Sequence, residues 1–452
     1  MEGDMQAERE TQESTPRPLP VDTLWVRFVF VDHGGIPKTK AVHRDGFERR
    51  VRAGVGLAKG VLALDPSGML HPESGLSPVW ECRLVPDLST LTPLPFARGQ
   101  AIVACDMTEP DATTPWEGCP RSALKRVLGR LAERGCRSVA SHETEFYVWG
   151  PDGPLDRTPY AASFALTAAA EFVAELAETL EEMGIRPEQC HAEVGHGNLE
   201  LSVGEAEALA AADRRVLVLE AIRGVAHGMG LQTTMAPKPY LDQAGNGHHL
   251  HVSLYALEDD SPVLFDASGK LSAAGSGFVG GLLEHLPALM AFTAPSPNSY
   301  QRLAPGMWSS AYAAYGPDNR EAAVRLTSPV AGAESATANV EFKPMDVTAN
   351  PYLALAAVLA AGMDGVERDL DPGEPVTVDP ATLSDEERAS RGIYPLPASL
   401  DEALDALEGN EVLIRALGEP LVRTHLAVGR AQAKMAKDLS PEEVAAAAAM
   451  IY

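Results

Sequence analysis

Carboxylates and imidazoles recur in this chain at spacings that could hold metal. Glu143 and Glu145 are two apart, Glu193 and Glu200 seven apart, His249 and His251 two apart, and Glu341 stands by itself. Each lies in a stretch of strand composition. On a strand, residues i and i+2 share a face, so Glu143 and Glu145 project together, about 7 Å apart. His249 and His251 do the same. Carboxylates gathered in one place repel one another and lose hydration unless cations hold them. An oxygen-rich set with an imidazole suits Mg2+ or Mn2+ better than structural zinc. Two such ions can neutralise a phosphoryl group in transfer. Taken singly, each Glu pair reads as a solvated strand face; only the whole set points to metal.

Arg302, Arg320 and Arg325 lie in segments dense in Gly, Pro, Asn and aromatic residues. A guanidinium can grip carboxylate or phosphate with two parallel hydrogen bonds. For any one of them, surface ion pairing is the plainer reading. The chain has no GxxxxGK(S/T) loop, no GxGxxG opening a helix and no GxSxG elbow. ATP, if it binds, does so without a P-loop.

The elements that must position these groups alternate without a strict βαβ repeat. Residues 23–31 and 36–42 read as a hairpin around His33-Gly34-Gly35, and 101–105 as a further strand. A helix opens at Cys119-Pro120 and closes at Gly135, with Leu124, Val127, Leu128 and Leu131 on one face. Strands carry Glu143/Glu145 and, at 248–255, His249/His251. Glu193 and Glu200 flank a turn at Gly195-His196-Gly197. Helices are expected at 168–183, 205–229, 273–292, 351–366 and at the Ala-rich C-terminus. The class is α+β on a largely antiparallel sheet. The domains expected are a tail at 1–21, a small β-rich domain at 22–110 and a larger catalytic domain at 111–452.

The chain has 452 residues and a formal net charge of −26. That charge disfavours a nucleic-acid groove or an anionic membrane surface as partner. Its five cysteines show no CxxC spacing, which fits a reducing compartment without a disulfide framework. Residues 1–19 are polar and acidic, the reverse of a signal peptide. The uncharged run 351–363 is too short to span a bilayer. The expectation is a cytoplasmic protein.

Six ordered stretches then carry a resemblance. HETEFYVW (142–149), EVGHGNLELS (193–202) and MAPKPYLDQAGNGHHLHVSL (235–254) are similar to the ExEFF, ExxPGQxE and MPKP…NGSGMHxHxSL segments of glutamine synthetase. NSYQRLAPG (298–306) and NREAAVRL (319–326) match its NSYKRLVPG and NRSAxxRI stretches. VEFKPMDVTANPYLALAAVLAAGMDGV (340–366) matches its IExRxPDxxANPYLAxAAxLAAGLDGI segment. From about residue 22 the chain resembles the type I-like branch of that family, and especially divergent relatives: the γ-glutamylamide and γ-glutamylpolyamine synthetases and FluG-type proteins.

The resemblance implies a β-grasp-like N-terminal domain and a catalytic domain with a curved antiparallel sheet flanked by helices. It implies ATP as co-substrate and two or more Mg2+ or Mn2+ ions. Glu145, Glu193 and Glu200 would hold the metal beside the amino-acid substrate, and Glu143, His249 and Glu341 the metal on the ATP phosphates. Glu188, His251 and Ser253 fall where the family contacts nucleotide. Arg302 and Gly245 fall at the glutamate site, Arg320 and Arg325 at the phosphoryl group, and Tyr160 at the ammonium pocket. The family assembles as two stacked hexameric rings, so a homododecamer is expected.

Four departures matter. Trp308 stands where the family has the flap glutamate that closes its ammonium site. An indole cannot take a proton from ammonium but offers a cation-π wall, although it can also serve simply to pack the loop. Ala244 replaces an Asn beside the amino-acid site, and Lys343 an Arg, without the bidentate fork. The loop Asp that deprotonates ammonium has Asp65 as its best candidate. The expected activity joins the side-chain carboxylate of glutamate to an organic amine through an acyl phosphate. Ordinary glutamine synthesis from ammonia and a catalytically silent scaffold or sensor are the rival readings.

Overall fold

Strand-forming sequence at both ends of the first hundred residues builds one sheet, and a computed structural model describes residues 18–452. The expected tail falls outside the described residues up to residue 17. In chain order the first sheet uses β1 (Trp25–Val31), β2 (Pro37–His43), β3 (Val55–Ala58), β4 (Glu81–Pro86), β5 (Thr92–Pro93) and β6 (Gln100–Thr108). Their order is β2-β1-β6-β4-β3, with β5 also on β6. β1 is buried on both faces. Val26, Phe28 and Phe30 enter a local core with Phe47, Leu57, Leu84 and Val103, while Val29 and Val31 join the main core. The turn after β1 is held by Asp32, whose Oδ1 accepts from the amides of Gly34 and Ile36, each at 3.0 Å. Gly35 has φ +71°, and a Cβ there would lie 2.3 Å from the Thr348 carbonyl oxygen. Only glycine fits that close approach.

The second sheet contains β7 (Cys136–Gly150), β8 (Gly153–Pro154), β9 (Pro187–Ala192), β10 (Asn198–Val203), β11 (Ala206–Glu207) and β12 (Gln232–Thr234). It continues with β13 (Leu250–Ala256), β14 (Tyr312–Pro317), β15 (Ala322–Leu326), β16 (Val340–Phe342) and β17 (Tyr394–Pro395). The order is β17-β14-β15-β16-β13-β7-β10-β9, with β8, β11 and β12 also paired to β7. All pairs are antiparallel except β14–β15, so this is the curved, largely antiparallel sheet of an α+β fold. Along β7 the side chains of Ser138, Ala140, His142, Thr144 and Phe146 are buried, and those between them are less so. This period of two turns Glu143 and Glu145 onto the open face.

Helices cover the other face. The main ones are α1 (Pro120–Glu133), α2 (Ala170–Glu182), α3 (Ala208–Gly228), α4 (Ala273–Thr293), α5 (Pro351–Glu367) and α6 (Glu419–Ala436). α4 and α5 cross at a point made of glycines: a Cβ on Gly365 would lie 2.1 Å from the Gly277 carbonyl oxygen. Two expected helices need correction. The one expected at 168–183 is α2, which begins two residues later because a break at Ala169 (φ −98°, ψ 11°) separates it from a short helix, Ser163–Ala168. The one expected at 205–229 starts late, because Ala206 and Glu207 pair with β7 first. No described helix is long and apolar enough to cross a membrane, and the five cysteines are free.

Candidate active site

Cross-strand register builds the site. Glu145 of β7 stands opposite Glu200 of β10, which stands opposite His191 of β9. Further along the sheet, Arg325 of β15 faces Glu341 of β16, which faces His251 of β13. The segment leading into β13 continues the pairing with β7, as the amides of Glu143 and Glu145 donate to the carbonyls of His249 and Gly247. Strands distant in sequence thus place one row of acidic and imidazole groups across a single face.

Two triads result. Glu143, His249 and Glu341 offer ligand atoms within 4.8 Å of one another, as do His191, Glu193 and Glu200. His249 Nδ1 lies 3.5 Å from Glu143 and 3.3 Å from Glu341. Glu341 is fully buried and also meets Arg325 Nε at 2.8 Å and Lys343 Nζ at 3.4 Å. Burial opposes ionisation of Glu341, yet Lys343, His251, His249 and Arg325 bring it down to about 2. Burial would likewise raise Glu143, and His251 and His249 hold it well below the usual range. His251 is pushed up to about 9: Glu143 and Glu341 outweigh its burial.

The other half is starved of positive charge. Glu200 is pushed up to about 10 by burial and by the charges of Glu143, Glu145, Glu193 and Glu341. Glu145 rises to about 7, through burial and then Glu193. Crowded carboxylates that resist ionisation, beside a three-ligand cluster with oxygen and imidazole donors, fit hard divalent cations.

Other expected residues fall as follows. Arg302 is buried; its Nη2 donates to the Met345 carbonyl at 3.0 Å. Gly245 packs against the Arg302 stem so closely that a Cβ would lie 2.5 Å from it. Ser253 lies two residues beyond His251 on β13. The Tyr160 ring meets His191 edge-on at 5.7 Å and Trp308 edge-on at 5.8 Å. The Arg320 guanidinium lies 5.9 Å over the Trp308 ring.

Four expected residues have contacts that local spacing did not anticipate. His191 joins Glu193 and Glu200 in the second triad, while Glu145 beside them accepts from the Gly247 amide through Oε2 at 2.8 Å. His191 donates to Glu193 across 3.0 Å, and that bond, with neighbouring carboxylates, raises it above its ordinary value. The sequence held the signal: His191 and Glu193 show the same i, i+2 spacing as Glu143 and Glu145. Lys343, expected at substrate, lies 3.4 Å from the Glu341 carboxylate, and both are buried. Glu188 is an exposed residue paired with Arg186 at 2.6 Å, and no described contact joins its carboxylate to the cluster. Asp65, expected as the base, accepts from the Ser67 amide and hydroxyl, the Met69 amide and His71 Nε2. Burial works against it, but those bonds lower its pKa.

Comparison with known proteins decides the family. Residues 117–446 match the profile for the glutamine synthetase catalytic domain and residues 19–116 that for a glutamine synthetase N-terminal domain. The chain belongs to the glutamine synthetase family. It is 37% identical to the gamma-glutamylpolyamine synthetase GlnA3 of Streptomyces coelicolor, over 93% of this chain and 92% of that one. It is 34% identical to a glutamine synthetase of Methanocaldococcus jannaschii, over 90% and 91%. A crystal structure described as a novel glutamine synthase homolog superposes with a TM-score of 0.86 at 35% identity, covering 97% of this chain and 100% of the other. A GmaS–ADP complex superposes with a TM-score of 0.82 at 30% identity, over 93% and 95%. As a glutamine synthetase family member the protein is an ATP-dependent ligase that forms a C–N bond and uses divalent Mg2+ or Mn2+.

Proposed function

We propose that this ligase joins the side-chain carboxylate of glutamate to an organic amine. The observation that carries this reading is the aromatic corner of Trp308 and Tyr160 beside His191, Glu193 and Glu200. The family resemblance puts a carboxylate at position 308 to close an ammonium pocket. An indole there favours the apolar body and diffuse charge of an alkylammonium over bare ammonium. Similarity to a protein named gamma-glutamylpolyamine synthetase supports the same reading.

In this reading Glu143, His249 and Glu341 hold one cation, and Glu193, Glu200 and Glu145 or His191 a second. Bound there, the ions neutralise the charge of the transferring phosphoryl group. His251 and Ser253 face the nucleotide. Arg302 and Gly245 position glutamate, and Arg320 and Arg325 steady the phosphoryl oxygens. The glutamate carboxylate oxygen attacks the γ-phosphorus of ATP and ADP leaves; the amine nitrogen then attacks the acyl carbon, and phosphate and a proton depart. Assembly into two stacked hexameric rings in the cytoplasm belongs to the same proposal, and light scattering gives the mass that checks it.

The test is an acid-by-amine screen with Mg2+ or Mn2+ and ATP, read by phosphate release and product mass. Glutamate with an organic amine is the pair expected. Turnover with ammonia alone would establish ordinary glutamine synthesis. ATP binding with no productive pair would mean a silent relative.

A further inference from the structure

The loop that carries Trp308 is held in an unfavourable backbone. Gly306, Trp308 and Ser310 have φ of +72°, +54° and +68°. For tryptophan and serine the left-handed region costs free energy and persists only where neighbours impose it. Two bonds from the start of β15 impose it here. The Trp308 amide donates to Glu321 Oε1 at 2.9 Å, and the Ser310 hydroxyl donates to the Ala322 carbonyl at 2.9 Å. Glu321 is itself set: it is 9% exposed, and its amide donates to Asn319 Oδ1 at 3.1 Å. Asn319 in turn donates to the carbonyls of Val376 and Val378.

The match of NREAAVRL to NRSAxxRI puts serine where this chain has Glu321. A serine hydroxyl is two carbons shorter and cannot reach as far as the carboxylate does. Two departures from the family pattern, Trp308 and Glu321, therefore meet in one hydrogen bond. From there the contacts run Trp308 to Tyr160, Tyr160 to His191 and His191 to Glu193.

We infer that Glu321 is a positioning residue for acceptor specificity: by holding the Trp308 backbone it fixes the indole as the wall of the amine pocket, without touching substrate. This rests on the amine-ligase reading above. Glu321 acts through an accepting oxygen rather than through charge, so glutamine can replace it and alanine or serine cannot.

The experiment compares the parent with Glu321→Gln, Glu321→Ala and Glu321→Ser, using the best organic amine from the screen and, separately, hydroxylamine. Hydroxylamine is a small nucleophile with no alkyl body to meet the wall. The expected result is an amine KM raised about fivefold in the Ala and Ser variants and within about twofold of the parent in Gln. The KM for ATP and the turnover with hydroxylamine stay near parental in all three. An unchanged amine KM in Glu321→Ala overturns the inference. So does a parallel fall with hydroxylamine and amine, which would mark a merely structural residue. If the parent itself uses no organic amine, the functional proposal fails at the first column of data, and this inference goes with it.

Discussion

At the scale of single residues, the chemistry rests on which charge faces which. Glu341 is the most heavily committed group, buried and ringed by His249, Arg325 and Lys343. Glu341→Gln keeps the shape and removes the charge. Loss of a metal-holding carboxylate forfeits several kcal/mol of transition-state stabilisation, so kcat/KM should fall about a thousandfold. Mn2+ binding, followed by calorimetry, should weaken in parallel. Trp308→Glu tests the acceptor side. Removing a cation-π wall of roughly 1 kcal/mol should raise the amine KM by about five- to tenfold. Ammonia use should rise, because the new carboxylate attracts ammonium and takes its proton. Steady-state kinetics with both nucleophiles decides it; no change in either would remove the indole from the argument.

At the scale of elements, close contacts carry the stability. α4 and α5 approach so nearly that Gly365→Ala drives a methyl group into the Gly277 carbonyl and the Gly281 backbone. Backbone cannot step aside as a side chain can, so a loss of about 1–3 kcal/mol or more is expected, measured by urea denaturation. The turn after β1 meets α6 through His33 and His425, whose Nδ1 atoms are 3.2 Å apart. His425 donates from Nε2 to the Ala291 carbonyl at 2.6 Å and stacks on Phe292. Its Nδ1 is therefore a bare acceptor for the His33 N–H, and both rings are neutral. Burial holds His425 down at about 4 and His33, with His425 beside it, well below 6.5. The unfolded chain thus binds protons first. The stability of this contact is full above pH 6.5 and falls as pH drops towards 4, by about 1.4 kcal/mol per pH unit for each ring. A His33→Gln variant should flatten part of that slope in urea midpoints measured across the window.

At the scale of the whole molecule, one buried guanidinium ties the two sheets' supporting elements together. Arg121 of α1 binds Asp213 of α3 through Nε at 3.0 Å and Nη2 at 2.8 Å, Asp106 of β6 at 3.0 Å and Asp87 at 2.8 Å. Tyr352 of α5 donates to Asp213 at 2.7 Å. Arg121→Met strands the buried Asp213 carboxylate and should cost about 3–5 kcal/mol, while Asp106 keeps Lys125. Arg121→Met with Asp213→Leu should recover part of it, since the second change removes an orphaned charge. Thermal unfolding of the two variants makes the comparison.

How far the sequence could be read followed from the range of the interactions involved. Period-two spacing by itself determined that Glu143 and Glu145 share a face, and motif order determined the family and the α+β class, because both are local patterns along the chain. The same local rule, applied once more, would have found His191. Cross-strand register decided that Arg325, Glu341 and His251 stand in line, and no local pattern contains that pairing. Folding also decided that Lys343 serves Glu341, since a buried charge takes whichever partner the interior supplies. It decided that Asp65 spends its carboxylate on its own loop. The Trp308–Glu321 bond spans thirteen residues through left-handed backbone. Only the tertiary structure holds the loop in that conformation, because the residue types along it disfavour it.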